Sequence, residues 1–421
     1  MKLARDRRRN VLLAVLTCLL ICLVLGYRQL STIPLTIARH RIDQQEFERG
    51  LWWLEWANQI SPTNPTTEFL KARVSRKKGE MREVGVHLQR AVALGYPAEL
   101  ANREQWLALA QSGQMREAET HYGTLLTDAR GEEGEICEAF VIGYCKLRHF
   151  DKAVQLLGAW VADLPNDPQP HYYWGLIEQE RKSWDEAIRH YNQALQSDPT
   201  HSQAALAIAT CYLEKKQPQE ALGYYRMAKD DSRQLTTALV GEAHCLRELG
   251  RSDESRETLA RALAADPQNS EAILEMSQVE LEAAEFGAAL PRLESLLKRE
   301  PHNLDVRFAY ATALRGTSKG QEAKEQLQIV SEARAQLIKA GNLAREMASP
   351  DDVEARYEIG VIHLKYGEPT EGLLWLTSVL DYAPRHTLTH RALAEYYADR
   401  AKVDPQYAAL AKRHIELSST D

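Results

Sequence analysis

A period of 34 residues runs through this chain, and it constrains the fold more than any other feature. From Ala187, steps of 34 land on Ala153, Ala221, Ser255, Ala289 and Ala323; after one extra residue between Ala118 and Ala153 they reach Ala118, Val84 and Gly50. Four residues beyond each of these sits a bulky side chain: Leu54, Leu88, Tyr122, Leu157, Tyr191, Tyr225, Leu259, Leu293 and Leu327. Three further on the residue is usually small, as at Ala57, Ala91, Ala194, Ala228 and Ala262, with Leu125, Trp160 and Leu296 as larger members. Five after that stands Pro62, Pro165, Pro199, Pro267 or Pro301. A tenth unit keeps the same offsets from Gly372 through Leu376, Val379 and Pro384.

Spacings of four and three place these side chains on one face of a helix, and the proline ends it. A second small position lies twelve residues before each anchor, at Ala38, Ala72, Gly175, Ala209, Ala243, Ser277, Ala311 and Gly360, and marks an earlier helix of each unit. Trp106 and Val141 break that rule, so the third and fourth units are expected to be distorted. Capping boxes, Ser183 to Glu186 and Ser318 to Gln321, mark starts of second helices.

The pattern resembles the tetratricopeptide repeat over residues 31 to 384. That resemblance implies an all-α fold, a right-handed superhelix of about ten helix-turn-helix repeats whose first helices line a concave groove. Repeats 1 to 9 are expected over 31–348 and repeat 10 over 349–384. The step from Ala323 to Gly372 is 49 residues, fifteen more than the period, so the ninth second helix should run on toward Met347. Residues 385–421 read as capping helices.

A basic cluster, Lys2, Arg5, Arg7, Arg8 and Arg9, precedes an uncharged run from Asn10 to Tyr27, closed by Arg28. As a helix that run would span about 27 Å, at the short end for a bilayer core. The expectation is a cytoplasmic tail over 1–9, a transmembrane signal anchor over 10–28, and repeats outside the cytoplasm, in the periplasm for a Gram-negative source. A cleavable signal peptide is the competing reading, with Val24-Leu25-Gly26 a poor match to the small-x-small rule.

The formal charge of -7 argues against nucleic acid, which needs a basic surface. Cys137, Cys145, Cys211 and Cys245 contain no C-x-x-C pair and read as buried thiols. Neither H-E-x-x-H, a phosphate-cradling glycine loop nor a nucleophile elbow is written here, so no catalytic residue, cofactor or small-molecule substrate is expected. His386, His390 and His414 are the nearest approach to a metal site, an alternative of another class that lacks a carboxylate or thiol partner.

What the resemblance implies instead is a protein-interaction scaffold, with an envelope assembly or secretion factor as the alternative. In the family, ligands meet the first helices. There Tyr172, Leu206, Val240, Leu274 and Phe308 form an apolar row, and Glu180, Glu214, Glu248 and Glu282 an acidic one, each at intervals of 34. The expected partner is a basic and apolar segment; a solvated charged face is the plainer reading. The chaperone-binding carboxylate clamp has no match. Lys71, Arg73, Arg76, Lys77 and Lys78 form a basic run, read either as a solvated helix end or as a contact for lipid headgroups or an acidic partner. Trp52, Trp53 and Trp56 read as packing into the first core or as an interfacial belt.

Overall fold

The computed structural model describes residues 32–129, 131–347, 349 and 351–419. Among them are 22 α-helices, one short 3-10 turn and no strand. The helices come in antiparallel pairs, from Thr32–Asp43 with Phe47–Ile60 to Val353–Tyr366 with Pro369–Tyr382, and close on Thr387–Ala401 and Ala408–Ser418. The described residues form two compact units, divided between Cys211 and Tyr212.

The small anchors are where helices touch. Ala118, Ala153, Ala187, Ala221, Ser255 and Ala289 have no exposed surface, and neither do Leu54, Leu157, Tyr191, Leu259, Leu293 and Leu376 four residues on. The third position is buried in all ten repeats, from Ala57 to Val330 and Val379. Gly175 shows why the first-helix position must be small: a Cβ there would lie 2.4 Å from the Tyr191 ring. That ring cannot retreat, because it is fully buried and its hydroxyl donates to Gln179 Oε1 at 2.9 Å.

Trp106 does alter its repeat. It stacks on His121 of Met115–Thr127, ring centroids 4.1 Å apart, where other pairs bring backbones together. Close approach moves to the next first helix, where Gly143 sits so near the Ala110 carbonyl that a Cβ would come within 2.1 Å of its oxygen. Downstream, Gly320–Glu346 runs for 27 residues. Its early part buries Ala323 and Val330, and its extra turns bring Leu337, Ala340 and Leu343 against Ile359 and Ile362 of Val353–Tyr366. One helix thus serves two successive first helices.

The expectation of a single-pass membrane protein is corrected. Among the described residues no helix is long and apolar enough to cross a membrane, and the longest, Gly320–Glu346, carries charges throughout. The segments 1–9 and 10–28 lie outside the described residues. The placement of the repeats outside the cytoplasm is withdrawn with the anchor it depended on.

Gly175→Ala should destabilise the protein by about 1–3 kcal/mol, because overpacking exceeds the gain in helix propensity. Gly85→Ala, at a helical position where the added carbon meets nothing within 4 Å beyond its own helix backbone, should stabilise by about 0.5–1 kcal/mol. Thermal unfolding of the two variants beside the parent checks both signs.

Candidate functional site

In the first unit, helix Pro65–Lys78 begins at Asn64, whose side chain accepts from the Thr66 amide, and presents Phe69, Arg73 and Arg76 on one face. The two arginines are not a solvated helix end. Arg76 is 1% exposed; its Nε donates to Glu104 Oε1 at 2.6 Å, one Nη to Gln111 Oε1 at 3.1 Å and the other to Glu135. Gln111 Nε2 returns a bond to the Arg76 carbonyl at 3.0 Å. Arg73 donates to Glu132 at 2.8 Å and to Glu104 at 3.4 Å, and Lys77 lies 3.1 Å from Glu135. Lys71 pairs with Glu68, and Lys78 with Glu48 and Glu80.

Three successive helix pairs are therefore joined by one network, since Glu104 and Gln111 belong to Ala98–Ser112, Glu135 to Glu133–Lys146 and Glu132 to the residue capping it. Burial alone would raise the Glu135 carboxyl, but Arg76, Arg73 and Lys77 hold it well below the usual carboxylate range. Arg103 completes the edge, donating to the carbonyls of Leu125 and Ala129 at 3.1 Å each and to Glu132 at 3.4 Å.

Over this network opens a pocket of about 560 Å³. Its wall holds Phe69 stacked on Tyr96, ring centroids 4.3 Å apart, with the Arg73 guanidinium 5.6 Å from the Phe69 centroid. Leu100 and Leu164 add apolar surface, and Arg39 and Asp43 reach in from Thr32–Asp43. Burial pushes the Tyr96 hydroxyl up, against the pull of Arg39 and Arg73. Asp167, also in the wall, accepts from Trp160 Nε1 at 3.0 Å and the Gln169 amide at 2.9 Å.

The residues expected to form the binding rows are divided between the units. In the first, Tyr172 is half-buried among Tyr173, Tyr191 and His201, Leu206 is half-buried, and Glu180 is exposed 3.7 Å from Arg148. In the second, Val240 is 5% exposed and belongs to the core, Leu274 is half-buried, and Phe308 stands 46% exposed with Arg334 over its ring at 5.4 Å. Glu214, Glu248 and Glu282 are exposed at the last residues of their helices, where the helix dipole disfavours a negative charge. Arg247 lies between two of them, 3.4 Å from Glu248 and 2.7 Å from Glu282, so that part of the acidic row is neutralised. The sequence reading overlooked Arg247, although its place immediately before Glu248 was visible.

Trp53 packs on the first core, while Trp52 and Trp56 are 63% and 43% exposed beside it. Cys137, Cys211 and Cys245 are buried and Cys145 is half-buried, and no disulfide joins cysteines among the described residues. His390 and His414 meet directly, Nδ1 to Nδ1 at 2.9 Å, while His386 caps Thr387–Ala401. Among the described residues no group of three or more His, Cys, Asp or Glu side chains is placed to hold a metal ion.

Antiparallel helix pairs in a recurring register, with small residues at most contacts, define a helical-repeat protein. Family models described as tetratricopeptide repeat match residues 178–236 and 236–269. The chain is a tetratricopeptide-repeat protein, a class that mediates protein–protein interactions. Among solved structures it is similar to PilW, described as a widely conserved type IV pilus biogenesis factor, at 19% identity over 45% of this chain and 89% of that one, TM-score 0.42. YrrB, described as a TPR protein with an unusual peptide-binding site, is 19% identical over 48% and 96%, TM-score 0.29. A tetratricopeptide repeat protein from Parabacteroides merdae is 15% identical over 62% and 98%, TM-score 0.40. No curated protein matches the chain.

Arg76→Met should destabilise the protein by about 3–5 kcal/mol, because it leaves the buried Glu104 carboxylate with only the longer bond from Arg73. Adding Glu104→Leu to that variant should restore much of the loss. Urea unfolding of the single and double variants measures the difference.

Proposed function

We propose that the protein is an interaction scaffold that binds a segment of a partner protein, and that in the first unit the segment seats in the pocket over the Arg73 and Arg76 network. The pocket itself carries this reading. Its volume of about 560 Å³ falls in the range of ligand sites, and it is built from several helices rather than a single loop. Rigidity follows from the network beneath, since guanidiniums bound to two or three carboxylates hold their positions before any ligand arrives.

Ligand chemistry follows from the wall. Phe69, Tyr96, Leu100 and Leu164 offer flat and aliphatic surface, while Arg73 and Arg103 already spend their donors on carboxylates and carbonyls. Arg39 and Asp43, both exposed, supply one charge of each sign at the entrance. An apolar side chain would enter, and the flanking backbone and charges would meet the rim. In the second unit Leu274 and Phe308, beside the partly neutralised glutamates, form a further first-helix face of the kind that takes a basic and apolar segment.

The test uses the full chain and a displayed peptide library, with Leu100→Glu and Arg39→Ala as variants. Peptides selected by the parent should lose about tenfold or more in affinity for Leu100→Glu, equivalent to roughly 1.4 kcal/mol, while its unfolding midpoint stays close to the parent's. Failure of the parent to select any peptide, or equal affinity in the variants, would overturn the reading.

A further inference from the structure

Two tryptophans of the first helix pair stand in solvent, away from the pocket. Helix Phe47–Ile60 turns Arg49, Trp52, Glu55 and Trp56 outward, all exposed, and spacings of three and four put them on one face. The Trp52 and Trp56 rings lie 6.3 Å apart, and Trp53 meets them at 4.9 and 5.3 Å from its place on the first core. Single exposed apolar side chains are ordinary on a protein surface, whereas indoles in contact with one another make a continuous patch of the kind that marks an interface. Phe308 and Tyr382 are the other exposed aromatic side chains among the described residues. Each has a guanidinium over its ring, 5.4 Å away for Arg334 and 5.1 Å for Arg356, whereas Trp52 and Trp56 are open to solvent.

The charges around the patch are arranged about Trp52. Arg49 stands three residues before it and Glu55 three after; Glu48 stands four before and Trp56 four after. When a second copy of this helix lies antiparallel across the first, with a two-fold axis at Trp52, each residue before Trp52 faces the residue equally far after it in the other copy. Trp52 then meets its own counterpart. Arg49 of each copy meets Glu55 of the other, once on either side of the axis. Glu48 meets the Trp56 indole, whose N–H can donate to a carboxylate. A parallel pairing would instead set Arg49 on Arg49 and Glu55 on Glu55, so the charges select the antiparallel one.

Within one chain Arg49 lies 3.0 Å from Glu46, and Glu55 lies 3.9 Å from Lys71. In both pairs the group on the patch is the more exposed member, and such surface pairs rearrange at little cost, so neither charge is withheld from an incoming copy.

We propose that this face of Phe47–Ile60 is a self-association surface, on which two copies of the chain meet through an antiparallel two-fold contact centred on Trp52. None of its residues lines the pocket, so self-association and segment binding are separate properties. One helix face on each side is small beside the roughly 800 Å² per partner of a standard interface, so the dimer is weak and depends on concentration.

Sedimentation velocity of the full chain over a concentration series provides the test. The parent should pass reversibly from monomer to dimer. Trp52→Ser should weaken dimerisation by about tenfold or more, and its unfolding midpoint should stay close to the parent's because the ring is exposed. Arg49→Glu and Glu55→Arg should each weaken it by about tenfold when alone. Mixing those two variants should restore association, because every charge on one copy then meets its opposite on the other. A parent that stays monomeric throughout, a Trp52→Ser variant that dimerises as well as the parent, or charge variants that mixing fails to rescue would each overturn the proposal.

Discussion

The closeness of two helix backbones, permitted only by small side chains, is the constraint on which the rest of this structure depends. An alanine, serine or glycine on each helix lets the axes approach until the bulky residue four positions later fills the remaining space, as Tyr191 does over Gly175. The packing is local to each pair, so the register can repeat along the chain and tolerate one inserted residue before Ala153. Where Trp106 occupies a small position, close approach is not abandoned. It moves to Gly143 and Ala110, and the third pair leans on the next first helix instead.

Into this apolar scheme the first unit introduces a buried charge network. Arg76 and Glu104 are each 1% exposed, a costly state that is tolerable only because nearly every donor and acceptor is used. Its reach departs from a nearest-neighbour solenoid. Arg73 and Arg76 of the second pair engage Glu132 and Glu135 at the entrance to the fourth, 59 residues on in both cases. These pairs are coupled electrostatically across an intervening repeat, and the pocket rests on that coupling. A single lost partner therefore acts on three pairs rather than one.

At the other end of the chain, polar chemistry performs a smaller task. Ala411 is the one fully buried residue of Ala408–Ser418, with Leu410 and Leu417 half-buried. His390 of the neighbouring helix adds a direct contact with His414, Nδ1 to Nδ1 at 2.9 Å.

The sequence by itself determined the repeat. Anchors, bulky residues and terminating prolines lie within one helix pair, so their spacing reports packing directly, and the lengthened helix after Ala323 was visible as an excess of fifteen residues. The site was far less legible. Arg73 and Arg76 read as part of a basic run, either a solvated helix end or a contact for lipid headgroups or an acidic partner, because their carboxylates lie 28 to 62 positions away, at Glu104, Glu132 and Glu135, and no local period points to them. The acidic row could be seen, but its partial neutralisation by Arg247 and the burial of Val240 depend on side-chain direction. Tertiary structure decided which charges meet. Helix-face periodicity records which residues turn inward, whereas ion pairing between helices depends on distances that only the folded arrangement sets.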